Sequence, residues 1–86
     1  MYYVKKPIPI EAVQLPDPFT IEWFQNEAPQ WLVDGDIVKT TEGFIIPTLE
    51  GKMLCPWGSY IIKGIKGELY PCRKEVFEES YAPISD

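Results

Sequence analysis

The sequence predicts a small α+β protein with one antiparallel β-meander sheet of about five strands and two short helices. Short runs rich in branched and aromatic residues alternate with turns that contain glycine, which is typical of a meander. Two other segments carry apolar residues at helical spacing. Because a chain of 86 residues buries only about 60 to 65% of its unfolded surface, we expect a single domain over residues 1–86.

The first strand is predicted at Ile8–Leu15, where apolar and polar residues alternate. Pro7 and Pro9 have no backbone N–H group to donate to a neighbouring strand. We therefore expect this strand to lie at a sheet edge or to begin irregularly.

A first helix is predicted from Pro18 to Asn26. Asp17 is a favourable N-cap residue, and proline suits the first helical position because its missing N–H would be unpaired there. Phe19, Trp23 and Phe24 have spacings that cover one helical face. Pro29 prevents the helix from continuing.

The middle of the chain predicts a series of short strands separated by glycine-containing turns, after a turn at Asp34–Asp36. Gly43–Gly51 resembles Ser59–Gly67, since both read aromatic-Ile-Ile-x-x-aliphatic-x-Gly after the first residue. Two successive hairpins explain this similarity. The predicted strands are Ile37–Thr40, Phe44–Thr48, Met53–Cys55, Tyr60–Lys63 and Glu68–Tyr70.

The second helix is predicted at Arg73–Ser80. Val76, Phe77 and Tyr81 have the spacing of a packed helical face. The residues that follow, Ala82–Asp86, are expected to form a frayed tail.

The residue inventory argues against an enzyme. The chain has no histidine, which removes the commonest general base near neutral pH and the commonest zinc ligand. Cys55 and Cys72 alone cannot complete a structural zinc site, and we expect both to be reduced and buried. Asp34 and Asp36 are interpreted as solvated turn carboxylates rather than calcium ligands. We therefore predict no catalytic residue, no cofactor and no metal.

Charge and hydropathy exclude two further classes of partner. The net charge of −5 disfavours nucleic acid, whose binding depends on neutralised phosphates. No run of eighteen apolar residues is present and no apolar leader follows the amino terminus, so we expect a cytoplasmic protein without a membrane partner. Residues 52–74 nevertheless carry five positive charges and one negative charge. They form either a positive patch or a scatter of solvated side chains.

This basic segment supplies the candidate ligand-binding residues. Trp57, Tyr60 and Tyr70 offer rings for stacking a base, or alternatively pack in the core as most aromatic residues do. Strand alternation places Tyr60 and Lys63 on opposite faces, so a complete pocket needs another element or another subunit. The residues predicted to contact phosphate groups are Lys63, Lys66 and Arg73.

The segment Tyr60–Cys72, with the pattern Tyr-Ile-Ile-Lys-Gly-x-Lys-Gly-Glu-x-Tyr-Pro-Cys, resembles a recurring family of small phage and prophage proteins. The resemblance extends over most of the chain apart from the region between Leu15 and Phe44. It implies a phage or prophage source and a small α+β fold, and it transfers no catalytic residues. The other matching parts are Tyr3–Lys6 with Pro7, Ile10–Gln14, Ile45–Gly51, Phe77 and Tyr81.

The chain is also similar, in size and in its aromatic and basic segment, to oligomeric phage sponges that sequester nucleotide-derived immune signals. By this analogy we expect a phage-encoded, non-enzymatic anti-defence protein that captures a small anionic nucleotide as a homo-oligomer in the infected bacterial cytoplasm. The alternative is a structural or protein-interaction module that binds a host or phage protein through an acidic face or an exposed sheet edge.

Overall fold

The computed structural model describes residues 1–4 and 7–84. Within these residues the chain forms six strands and three short helices. In chain order they are β1 (Glu11–Gln14), α1 (Ile21–Asn26), α2 (Gln30–Val33), β2 (Val38–Lys39), β3 (Gly43–Thr48), β4 (Gly51–Pro56), β5 (Tyr60–Lys63), β6 (Leu69–Cys72) and α3 (Lys74–Ser80).

The strands form two three-stranded antiparallel sheets, with the orders β1-β5-β6 and β2-β3-β4. The predicted α+β class is therefore confirmed. Each of the six strands overlaps a predicted segment, so the total of about five was one short. The single meander sheet is wrong, because β1 pairs with β5 and the strands divide into two sheets. The structure also has a third helix beyond the two predicted.

The two hairpins predicted from the internal similarity are confirmed. β3 pairs with β4 and β5 pairs with β6, both in antiparallel register. Gly51 and Gly67 follow the two turns with φ angles of 105° and 86°, where L side chains are strained. The two similar segments thus share a glycine with positive φ, but their turns differ in length and they lie in different sheets.

The first helix begins later than predicted. The Asp17–Pro18 peptide bond is cis, and Asp17 does not cap the helix. Thr20 is the N-cap, and its hydroxyl accepts a hydrogen bond from the Trp23 backbone N–H at 3.2 Å. The helix therefore starts at Ile21.

The unpredicted helix, α2, has only four residues, which is too short for a helical period to be visible in the sequence. Its N-cap is Pro29, three residues after α1 ends at Asn26. Leu32 from this helix is fully buried.

One hydrophobic core joins the two sheets and the helical segment between them. Phe19, Trp23 and Phe24 all pack against it, although Phe19 precedes α1 and only Trp23 and Phe24 lie on the helix. Alternation along β5 points Ile61 into this core and Ile62 toward the opposite face of the sheet. The buried members of the core are Leu15, Leu32, Phe44, Ile46, Cys55 and Ile61.

The last helix, α3, packs on the face of the β1-β5-β6 sheet that points away from the core. Phe77 stacks on Tyr60 there. Ala82–Ile84 have no regular structure, and the rest of the predicted tail, Ser85 and Asp86, lies outside the described residues. Among residues 1–4 and 7–84, no helix has the length and apolar character needed to span a membrane.

Candidate functional site

The structure brings two of the predicted site residues, Trp57 and Arg73, to one polar cavity of about 820 Å³. The cavity lies between the loop after β1, the β4–β5 turn and the beginning of α3. Its size falls within the usual range of ligand sites. Its lining consists of Gln14, Leu15, Pro16, Asp17, Pro56, Trp57, Gly58, Ser59, Arg73, Lys74 and Glu75.

The indole of Trp57 is fixed by two contacts. Its N–H group donates a hydrogen bond of 2.8 Å to the Thr41 carbonyl. Its ring stacks on Phe19 with centroids 4.9 Å apart and planes inclined by 29°. Trp57 therefore lines the cavity as a rigid wall held by both the α1 region and the β2–β3 turn.

Arg73 and Lys74 contribute two positive charges to the cavity, because β6 ends at Cys72 and α3 begins immediately afterwards. The lining also contains the carboxylates of Asp17 and Glu75. The formal charge of these four groups is zero, since two cations face two anions. This arrangement suits a ligand that has both anionic groups and hydrogen-bond donors. Sequence reasoning left Lys74 out of the site, although it adjoins Arg73.

The side chain of Tyr60 packs against α3. Its ring lies 3.8 Å from that of Phe77, and its hydroxyl donates a hydrogen bond of 3.3 Å to the Glu78 carboxylate. Partial burial, followed by the negative charge of Glu78, raises the pKa of the Tyr60 phenol. Its stacked ring face is therefore covered within the chain.

Lys63 also has partners within the chain. Its ammonium group lies 3.7 Å from the Glu11 carboxylate and 6.0 Å from the centroid of the Trp31 ring. Since Tyr60 pairs with Cys72 and Lys63 pairs with Leu69, Lys63 lies at the far end of the β5–β6 hairpin from Arg73. Lys63 is thus not part of the polar cavity.

The remaining basic residues of the segment are dispersed. Lys66 lies in the exposed turn between β5 and β6, beyond Lys63. Lys52 lies on β4, in the other sheet. The structure thus favours scattered cations over one continuous positive patch, apart from the neighbouring pair Arg73 and Lys74.

Tyr70 lies on the groove formed between α3, the β5–β6 hairpin and the segment before β1, with a volume of about 740 Å³. We call it the α3 groove. Its walls are mainly apolar, and the thiol-bearing residue Cys72 is among them. Burial, followed by the proximity of Tyr81, Glu68 and Cys72, raises the pKa of the Tyr70 phenol. Other lining residues include Pro7, Ile8, Ile10, Ile62, Val76 and Tyr81.

Both cysteines are free, but only Cys55 is buried as predicted, because Cys72 is half-exposed. Burial raises the pKa of Cys55 to about 12, which keeps its thiol protonated and unreactive. In the described part of the chain, no group of three or more cysteine, aspartate or glutamate residues is arranged to hold a metal. The described geometry thus offers surfaces for binding and identifies no activated nucleophile.

No protein-family model, curated protein or solved structure matches this chain. The resemblance to phage proteins and the analogy with nucleotide sponges therefore stay predictions.

Proposed function

We propose that this protein is a non-enzymatic binding protein that holds a small, nucleotide-derived anionic ligand in the polar cavity beside Trp57. One observation carries this proposal: Trp57, Arg73 and Lys74 line the same open cavity of about 820 Å³. The predicted residues Tyr60, Lys63, Lys66 and Tyr70 lie outside it, so the proposed site is smaller than the sequence-based set.

The mixed charge of the cavity supports a nucleotide more than a simple anion. Arg73 and Lys74 provide donors for phosphate oxygens. Asp17 and Glu75 provide acceptors for ribose hydroxyls or base amino groups. The fixed indole of Trp57 supplies an aromatic edge or face against which a base can pack.

The proposed biological role is that of a phage-encoded, homo-oligomeric sponge that sequesters a nucleotide-derived immune signal in the host cytoplasm. This part of the proposal is supported by the sequence resemblance and by the small size of the protein. Sequestration without turnover agrees with a chain that contains no histidine.

Native mass spectrometry with ADP-ribose and a cyclic dinucleotide tests the proposal. We expect a retained nucleotide that is released chemically unchanged on denaturation. Arg73→Ala with Lys74→Ala removes two charge-assisted contacts and should weaken binding at least about tenfold. Lys52→Ala with Lys66→Ala is a matched control, because it removes the same charge outside the cavity and should leave the affinity unchanged. Equal losses in the two variants would refute the site assignment.

A second function, as a protein-interaction module, is favoured by the outer face of the β2-β3-β4 sheet. Val38, Ile45 and Leu54 lie side by side across its three strands. Val38 and Leu54 are 51% and 41% exposed, so an apolar row faces solvent. Such a row suits the apolar face of another protein.

This second function predicts a stoichiometric protein complex and no nucleotide-dependent shift in melting temperature. Leu54→Lys should abolish the complex by placing a charge in the apolar row. Ile21→Lys, at a 53% exposed position that opens α1, introduces the same charge away from the row and should have no effect. A complex that survives Leu54→Lys would exclude this face.

A further inference from the structure

The segment Met1–Val4 is an apolar arm that projects from the body of the protein. Tyr2, Tyr3 and Val4 are 100%, 86% and 93% exposed. Tyrosine and valine favour extended, packed conformations, and each is costly to leave in water. The arm therefore has apolar surface that its own chain leaves uncovered.

The α3 groove is a second uncovered apolar surface, and it lies beside the start of the arm. Pro7 and Ile8 belong to its lining. A chain spans at most about 3.3 to 3.6 Å per residue, so Met1 lies within roughly 20 Å of Pro7. The arm can consequently reach only surfaces that adjoin the groove.

A second copy that docks groove to groove places such a surface within reach. In a two-fold dimer the same patch is used on both subunits, so each arm extends from its own groove toward its partner's. The exchange covers both arms and both grooves with one contact. An arm of this kind is a low-cost route to a dimer, because it repeats one element in both subunits.

The area available is sufficient for a stable dimer. A packed tyrosine buries roughly 150 to 250 Å², so two arms with two tyrosines each bury roughly 600 to 1,000 Å². The same contact also buries the opposing groove walls, which brings the total to roughly 1,000 Å² or more. This is the size of a specific protein interface.

Charge also favours binding of a second copy's arm in the α3 groove. Glu68 lines the groove. Helix α3 beside it carries Glu75, Glu78 and Glu79 and has one basic residue, Lys74. In the sequence the arm is followed by Lys5 and Lys6. An apolar segment with adjoining positive charge thus matches an apolar groove with an acidic neighbour.

We propose that the α3 groove is a homodimer interface in which each protomer inserts Tyr2 and Tyr3 into the groove of its partner. The inference specifies the contact for the homo-oligomer of the proposed function. It rests on the arm and the groove, whose lining shares no residue with the polar cavity.

Sedimentation velocity of the full chain provides the first test. The unmodified protein should sediment as a dimer, whereas Tyr2→Ser with Tyr3→Ser should shift it to a monomer of unchanged circular dichroism. Leu49→Ser is the matched control, since Leu49 is an 88% exposed apolar residue in the β3–β4 turn. A monomeric unmodified protein, or a dimer that survives loss of both tyrosines, overturns the proposal.

Disulfide trapping then determines which chain supplies the arm. Tyr3→Cys, oxidised at concentrations where the dimer forms, should yield a covalent dimer through Cys72 of the other chain. Cys72→Ser should abolish this product, and Cys55 is too buried to replace it. An internal disulfide within a monomer, or no disulfide with Cys72, overturns arm exchange. Nucleotide binding is measured separately, so a monomer that still binds nucleotide refutes only the dimer contact.

Discussion

The rings of Tyr60 and Phe77 lie parallel, with centroids 3.8 Å apart and planes inclined by 11°. Phe77 also stacks on Tyr81 at 4.9 Å, so three aromatic rings form a continuous column from β5 to the end of α3. None of the residues of α3 is buried. This column is therefore a main attachment of the helix to the sheet.

Phe77→Ala should release α3 and lower the free energy of unfolding by about 1 to 3 kcal/mol, less than for a fully buried phenylalanine. Urea denaturation measures this loss. Glu79→Ala, at an exposed position on the same helix, should change stability by no more than about 0.5 kcal/mol. If the two variants are equally stable, the aromatic column does not anchor the helix.

Glu78→Gln should lower the pKa of the Tyr60 phenol, because it removes a negative charge that opposes ionisation. The pKa should stay above its ordinary value, since burial is the larger cause of the shift. Ultraviolet absorbance during an alkaline titration reports the phenolate, and subtraction of the Tyr60→Phe trace isolates this residue. An unchanged titration would show that Glu78 does not act on Tyr60.

Alkaline pH should destabilise the protein through Cys55. The unfolded thiol ionises near its ordinary pKa of 9.0, whereas the folded thiol has a pKa of about 12. The protonated thiol therefore contributes fully to the free energy of unfolding below pH 9. This contribution is lost as the pH rises toward 12, by at most about 1.4 kcal/mol per pH unit. Urea midpoints under reducing conditions should fall less steeply with pH in Cys55→Ala. If the urea midpoints of the unmodified protein and of Cys55→Ala fall equally with pH, Cys55 is not the cause of the alkaline destabilisation.

Gly43→Ala should be far more destabilising than Gly51→Ala. Both glycines have positive φ angles, 157° and 105°, but an added Cβ at Gly43 would collide with the backbone carbonyl of Cys55 and with Pro56. At Gly51 the space is open, so only backbone strain of about 1 to 3 kcal/mol applies. The melting temperatures of the two variants distinguish the steric clash at Gly43 from the backbone strain that both positions share. A Gly43→Ala protein as stable as Gly51→Ala would disprove the close approach.

Local patterns predicted most of the strands but not their arrangement. Tyr60–Lys63 was predicted with its observed bounds, because branched residues and flanking glycines define it locally. The pairing of β1 with β5 depends on tertiary contacts between distant segments. The start of α1 was missed because Asp17 and Thr20 are both suitable N-cap residues, and only the hydrogen bond from the Trp23 N–H identifies Thr20 as the N-cap.

The candidate site was less predictable than the fold, because side-chain partners come from other elements. Residue type identified Trp57 and Arg73, which share a cavity. It did not reveal that Lys63 faces Glu11 or that Tyr60 stacks on Phe77. The β-strand alternation did separate Tyr60 from Lys63, and that separation is confirmed.

The pairing of β1 with β5 has a consequence for the order of folding. Gln14 donates a hydrogen bond of 3.0 Å to the Gly58 carbonyl, 44 residues further along the chain, whereas both hairpins close over a few residues. Loop closure costs more entropy as the enclosed chain lengthens. We therefore expect the two hairpins to form early and β1 to pair with β5 last. That pairing closes the loop formed by residues 15–59.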